Sequence, residues 1–135
     1  VSPPLARADL SIRTHVKEDV LDITPQVGEA LGALGVADGA VLLLCPHTTA
    51  ALTVNEAVDP DVRADLGTGL AALVPRLPFR HAEGNSPAHI RSVLLGPSLV
   101  LPVAAGKLVL GAWQGVYFCE FDGPRDRQVW AFPLR

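Results

Sequence analysis

Imidazole is the side chain that both titrates near neutral pH and ligates metals, so the histidines are weighed first. The chain carries four, at positions 15, 47, 81 and 89. His47 stands with Thr48 and Thr49 at a corner opened by Pro46, while His81, Glu83, Asn85, Ser86 and His89 gather around Gly84. Two further polar groups follow the same habit of sitting at the ends of apolar runs: Asn55, Glu56 and Asp59, then Gln114, Glu120, Asp122 and Arg125. Binding groups concentrate at such loop and element-end positions, where a rigid scaffold presents them. His15 lies among Lys17, Glu18 and Asp19 and reads as a solvated loop residue.

Three imidazoles, from His47, His81 and His89, with one position left open would suit Zn²⁺ or a similar ion. Their spacing is not a compact HExxH pattern, so surface or helix-capping histidines stand as the alternative reading. Glu56 and Asp59 can serve as general acid, base or metal ligand. Asp59 before Pro60 is equally ordinary helix-capping chemistry, and Glu56 equally closes a strand at the surface. Arg125 follows Gly123-Pro124, a turn that can aim a guanidinium at an anion or at Asp122 or Asp126. Trp113 and Tyr117 share one strand face by parity and read as core or interface residues.

The elements that must position these groups follow from the apolar pattern. Residues 5–13 read as an opening strand. Thr24 caps a helix with Pro25 in its first turn; Val27, Ala30, Leu31 and Leu34 form its stripe, and Gly35 ends it. Asp38-Gly39 turns into a buried strand at 40–45, and 50–55 continues as a second. Asp59-Pro60-Asp61 starts another helix, whose buried stripe is Val62, Leu66, Leu70 and Leu73 and which Pro75 terminates. Residues 75–87 are loop-like, and a short helix over 88–95 is capped by Ser86. Strand-like runs follow at 99–103, 108–121 and 128–132, the last two joined by a turn at Asp122-Gly123-Pro124. This order is α+β, without the strict alternation of a parallel α/β fold.

Composition bounds the rest. The 135 residues are 49% hydrophobic and 19% charged, which excludes a disordered chain and fits one domain with a real core. Net charge is −3 and the pI about 5.7, unsuited to a general nucleic-acid binder. Apolar runs are strand-sized, short of a membrane span, and residues 1–10 lack a signal-peptide layout. The absence of methionine, even at position 1, suggests a trimmed start. Cys45 and Cys119 sit in apolar runs and read as buried free thiols, which fits a reducing cytoplasm.

Taken together, the segments resemble the YjbQ family. The likeness rests on Pro46-His47-Thr48-Thr49-Ala50 with Asn55-Glu56, on Asp59-Pro60-Asp61-Val62, and on the stretch from His81 through Gly84-Asn85-Ser86 to His89. It continues through Ser98-Leu99-Val100-Leu101-Pro102-Val103 to Gly106, then Gly111-Ala112-Trp113-Gln114 and Glu120-Phe121-Asp122-Gly123-Pro124-Arg125. The chain departs from the family at Ala112, where threonine is usual.

The resemblance implies one α+β domain over 1–135, a mostly antiparallel sheet packed with two or three helices, assembled as a homotrimer. It favours His47, His81 and His89 as metal ligands, all three falling on family motif positions. It also implies a secondary thiamine-phosphate synthase activity, which joins a pyrimidine diphosphate to a thiazole phosphate and expels diphosphate. The expected site then has Glu56 and Asp59 as catalytic carboxylates. Asn55, Gly84, Asn85, Ser86, Gln114 and Arg125 bind a small phosphorylated substrate. A divalent ion completes it, Zn²⁺ on histidine chemistry or Mg²⁺ on diphosphate chemistry. A zinc-type hydrolase with Glu56 as proton relay and a non-catalytic trimer that binds a metal or an anion are the alternatives.

Overall fold

The computed structural model describes residues 5–134; residues 1–4 of the N-terminal stretch read above, and residue 135, lie outside it. Its eight strands are β1 (Ala8–Arg13), β2 (Asp19–Asp22), β3 (Gly39–Leu44), β4 (Ala50–Glu56), β5 (Ser98–Ala104), β6 (Lys107–Leu108), β7 (Gln114–Glu120) and β8 (Asp126–Leu134). Three helices interrupt them: α1 (Thr24–Leu34), α2 (Pro60–Ala72) and α3 (Ser86–Leu95). One sheet runs β1-β8-β3-β5-β6 and the other β2-β7-β4, every pairing antiparallel. The α+β class expected from the sequence is the class observed.

Side-chain parity divides the molecule into layers. Val116 and Phe118 of β7 join Leu10, Ile12, Val41, Leu43, Leu52 and Val129 in the main core between the sheets, closed by Val27 and Leu31 of α1. The alternate residues of β7, Tyr117 and Cys119, face the other way and join Val20, Ala51, Ala88 and Phe121 in a second core. Leu66 and Leu70 of α2 and Leu95 of α3 cover that face. Helix α3 is tied to β4 by Ser92 Oγ, which donates to the Ala50 carbonyl at 2.7 Å. Buried Arg91 ties it to α2, donating to the Ala71 carbonyl at 2.6 Å.

Several local expectations need correction. The opening strand begins at Ala8, and β2 had no sequence expectation because an aspartate at each end conceals its two apolar residues. Thr24 is the first helical residue and Ile23 is the cap; Thr24 Oγ1 instead donates to Asp22 and accepts the Val116 amide. Asn85, not Ser86, precedes α3, and its side chain turns to Asp122 without capping the helix. No residue of α2 is fully buried, and Leu73 lies exposed beyond its end, because this helix covers only the outer face of the small sheet. The single run expected over 108–121 is two strands in different sheets, broken by a turn in which the Gln114 amide donates to the Gly111 carbonyl at 3.0 Å. That turn puts Trp113 outside the strand at 62% exposure while Tyr117 is 1% exposed, so the two do not share a face.

Cys45 and Cys119 are buried free thiols, and burial, with Cys45 nearby, pushes Cys119 up to about 12. Among the described residues no helix is long and apolar enough to cross a membrane.

The layering sets how two neighbours on β7 respond to truncation. Phe118→Ala empties the main core and is expected to cost about 3–5 kcal/mol of unfolding free energy. Tyr117→Phe loses only the hydroxyl bond to the Glu56 carbonyl, 2.7 Å long, and is expected to cost about 1 kcal/mol. Urea denaturation of the two variants checks the contrast.

Candidate functional site

One end of the two-sheet stack gathers three irregular segments. They are the corner between β3 and β4, the segment leading into α3, and the turn from β7 into β8, where Gly123-Pro124 is cis. A side chain at Gly123 would collide with the Val16 carbonyl and reach within 2.8 Å of Thr14 Oγ1, so only glycine lets the turn close onto the end of β1. Between the segments lies an open cleft of about 430 Å³ lined by His47, Thr49, His81, His89, Arg125 and Arg127, with Thr48, Glu83 and Asn85 completing its wall.

His47 is anchored to β8: its Nε2 accepts the Gln128 amide at 2.9 Å, which fixes the lone pair there and the proton on Nδ1. Burial, followed by the charge of Arg127, holds its pKa below the ordinary histidine value, so the ring is neutral at pH 7. His81 and His89 meet edge to face with centroids 5.6 Å apart, and His81 Nε2 lies 3.9 Å from Glu83 Oε2.

The three expected metal ligands therefore share one cleft. Among the described residues, however, no three His, Cys, Asp or Glu side chains converge closely enough to hold an ion as they stand. The donor chemistry nonetheless fits a zinc-like ion. His81 and His89 are neighbours, while the His47 Nε2 lone pair is taken by the Gln128 amide.

Arg125 borders the cleft and is held by Asp122, donating from Nη2 to the carboxylate at 3.0 Å and from Nε to the backbone carbonyl at 2.8 Å. Asn85 Nδ2 donates to the same carboxylate oxygen at 3.0 Å. The Asn85 bond, then Arg125, keep Asp122 below the usual carboxylate range. Gly84 lines a neighbouring cleft that shares Asn85, and Ser86 begins α3.

The remaining expected residues are elsewhere. Glu56 closes β4 at the opposite end of the strand from the cleft, six residue steps and roughly 20 Å from Ala50. Its Oε2 accepts the Asp59 amide at 2.7 Å, and Asp59 caps α2 by accepting the Asp61 amide at 2.9 Å. Asn55 accepts the Glu56 amide, and Gln114, paired with Glu56, accepts the Gly111 amide. Ala112 lies in that same distant turn. Within one chain the expected catalytic carboxylates and two of the expected binding residues thus do not reach the histidines, because strand direction carries them to the other end of the sheet.

What the sequence reading missed is the floor of the cleft. Buried Arg127 donates from Nε to Glu120 at 3.0 and 3.1 Å, from Nη2 to the same carboxylate, and from Nη2 to Thr49 Oγ1 at 2.8 Å. Thr14 Oγ1 donates to Glu120 at 2.6 Å and accepts the Arg125 amide at 2.9 Å. A signal existed: Glu120 shares the inward parity of Val116 and Phe118, and Arg127 that of Val129 and Ala131. Opposite charges on the core faces of consecutive strands must be paired.

Comparison with known proteins agrees with this architecture. The family model described as UPF0047 protein YjbQ-like matches residues 8–133. The UPF0047 protein YugU of Bacillus subtilis is 46% identical over 120 residues, 87% of this chain and 91% of that protein. The UPF0047 protein MJ1081 of Methanocaldococcus jannaschii is 45% identical over 120 residues, 88% of this chain and 87% of that one. The crystal structure of an uncharacterised YjbQ/UPF0047-family protein from Clostridium acetobutylicum superposes with a TM-score of 0.87 at 46% identity, covering 92% of this chain and 97% of that one. A hypothetical protein from Aeropyrum pernix reaches 0.88 at 36% identity, covering 96% and 98%.

The depressed Asp122 value has a pH consequence. The stability Asp122 contributes is fully present above the ordinary aspartate value of ~3.9 and is lost as pH falls through the lower folded value. In urea denaturation below about pH 5, the wild-type chain is expected to lose stability more steeply than Asp122→Asn. The two should draw together at the acid end.

Proposed function

The chain belongs to the YjbQ-like UPF0047 family, and on that premise we propose that its histidine-arginine cleft binds a small phosphorylated substrate and promotes departure of its phosphate-bearing group. Thiamine-phosphate synthesis, in which a pyrimidine diphosphate is joined to a thiazole phosphate, is then a secondary reaction of the same cleft. The observation that supports this reading is the convergence of three imidazoles and two guanidiniums on one cleft of about 430 Å³. As diphosphate leaves with the bonding pair, negative charge builds on its oxygens. Donors already fixed in place stabilise that charge without reorganising. Arg125 supplies a guanidinium held by Asp122, His47 supplies an Nδ1–H held by Gln128, and His81 or His89 can protonate the departing oxygen.

Were a zinc-like ion bound instead by His81, His89 and His47, it would replace those imidazole roles and supply Lewis-acid charge at the leaving group. Among the described residues Glu83 is the one carboxylate lining the cleft, a donor set that suits Zn²⁺ better than Mg²⁺. The hydrolase reading is weaker, since its proton relay, Glu56, stands at the far end of β4. The proposal includes a homotrimer, which would cover exposed apolar residues such as Val93 and Trp113.

Diphosphate release from the two substrates tests the site. Arg125→Ala is expected to raise KM at least tenfold with little change in kcat, because a guanidinium–phosphate contact is lost. His89→Ala is expected to lower kcat by about 10²–10⁴. Glu56→Ala should stay within about twofold of wild type. Unchanged kinetics in both the Arg125 and His89 variants would remove the reaction from this cleft.

A further inference from the structure

Arg127 is the most buried cation facing the cleft, at 5% side-chain exposure, and its partner Glu120 has none. Such a pair is poor at adding stability, because desolvating two ions roughly offsets their attraction, and an apolar pair of similar volume can hold a fold equally well. Beyond joining the segments it bonds, such a pair can serve through what the guanidinium presents. Nε and Nη2 are committed to Glu120 and Thr49. Nη1 forms no hydrogen bond among the described residues. It is also not one of the fully buried polar atoms left without a partner, which are Asn85 Oδ1 and Arg91 Nε.

We propose that Arg127 is a phosphate-binding residue at the floor of the cleft, presenting Nη1 to the ligand, and that Glu120 is the positioning residue that fixes its guanidinium. The proposal rests on the reading of this cleft as a phosphate site. Glu120 does a second job through Thr14. The threonine hydroxyl gives its proton to Glu120 and accepts the Arg125 amide, so one carboxylate sets the floor guanidinium and the start of the wall that carries the other. With the Nε hydrogen and both Nη2 hydrogens taken, the two Nη1 hydrogens remain, and the plane that Glu120 fixes sets the direction in which they meet a phosphate oxygen. Lysine at 127 keeps the charge and loses the planar donor set that serves Glu120, Thr49 and a ligand at once. Aspartate at 120 keeps its charge with a reach one methylene shorter.

Calorimetric titration with inorganic phosphate tests both roles, with near-UV circular dichroism reporting the fold of each variant. Arg127→Lys is expected to weaken phosphate binding at least tenfold. Glu120→Asp, although it never touches the ligand, is expected to weaken it severalfold per folded molecule, an effect that a merely structural role would not produce. The neutral pair Glu120→Gln/Arg127→Met serves where either single variant unfolds and is also expected to lose at least tenfold. Independently of any variant, phosphate added to the ¹⁵N-labelled wild-type chain should shift the Arg127 guanidinium resonances and leave those of Arg91 in place. Arg125→Ala separates the two levels of inference. If it weakens phosphate binding while the Arg127 variants bind normally and the Arg127 resonances stay still, the floor site is wrong and the cleft reading stands. If neither arginine matters, the cleft reading itself falls and the proposal with it.

Discussion

The Glu120–Arg127 pair is the joint on which the functional end of this molecule depends. Strand β7 belongs to the small sheet and β8 to the large one, so consecutive strands must cross from one layer to the other. Where they cross, the apolar filling of the main core stops and a polar plug begins. A buried guanidinium and carboxylate at such a place are tolerable only when nearly every donor and acceptor is matched. Thr14 from the end of β1 and Thr49 from the start of β4 complete the matching, so all four segments are locked to one another by a single network. Every loop that lines the cleft starts from, or is bonded to, one of these segments.

That arrangement explains why the site lies at one end of the stack and not on a face. The inner faces of both sheets are consumed by the main core, and the outer face of the small sheet is consumed by α2 and α3. The outer face of the large sheet is open, with Val100 exposed on it, but its residues are held at strand spacing, whereas the ends offer backbone free to turn. The two ends are chemically unlike. The cleft end carries three imidazoles and two guanidiniums, whereas the other carries Glu56, Asp59 and Asp61 around a helix start, where carboxylates favour the helix dipole. Within one chain those acidic groups serve the start of α2, where Asp59 accepts the Asp61 amide and Glu56 accepts the Asp59 amide.

Much of the fold was legible in the sequence because its elements obey local rules. Gly35 ends α1 in the left-handed conformation, Asp59 caps α2, and the apolar runs at β3 and β4 are strands. The failures were non-local. Nothing in residues 108–121 alone announces that the run changes sheet, and β2 is a strand only because β7 offers it an edge. For the site, the motif positions His47, His81, His89, Asn85 and Arg125 line one cleft. Glu56 and Gln114 pair with each other at the other end of the small sheet, because a motif position says nothing about which end of a strand a residue occupies. Arg127 was missed for the opposite reason: within a strand it looks like one more alternating polar residue. Its inward parity becomes informative only beside that of Glu120.

The cleft has walls of two kinds, and the difference bears on how a ligand would be held. The floor and the His47 side are preorganised: Arg127, Thr49 and the His47 ring are each bonded to strand residues or to one another. The opposite wall is built on the segment before α3, where the main-chain bonds are short-range, such as the Gly84 amide to the His81 carbonyl at 3.2 Å. Fixing a group that is already fixed costs little on binding, while ordering a side chain costs about 0.5–1.5 kcal/mol. A phosphate seated against the floor would therefore gain most of its affinity from groups that need not move. His81, on the less constrained segment, is free to adjust to whatever the phosphate carries, while His89 is carried by α3. Affinity on one wall and adaptability on the other suit a cleft that anchors a common anionic handle and admits more than one body behind it. The proposed secondary thiamine-phosphate synthase activity would rest on that division.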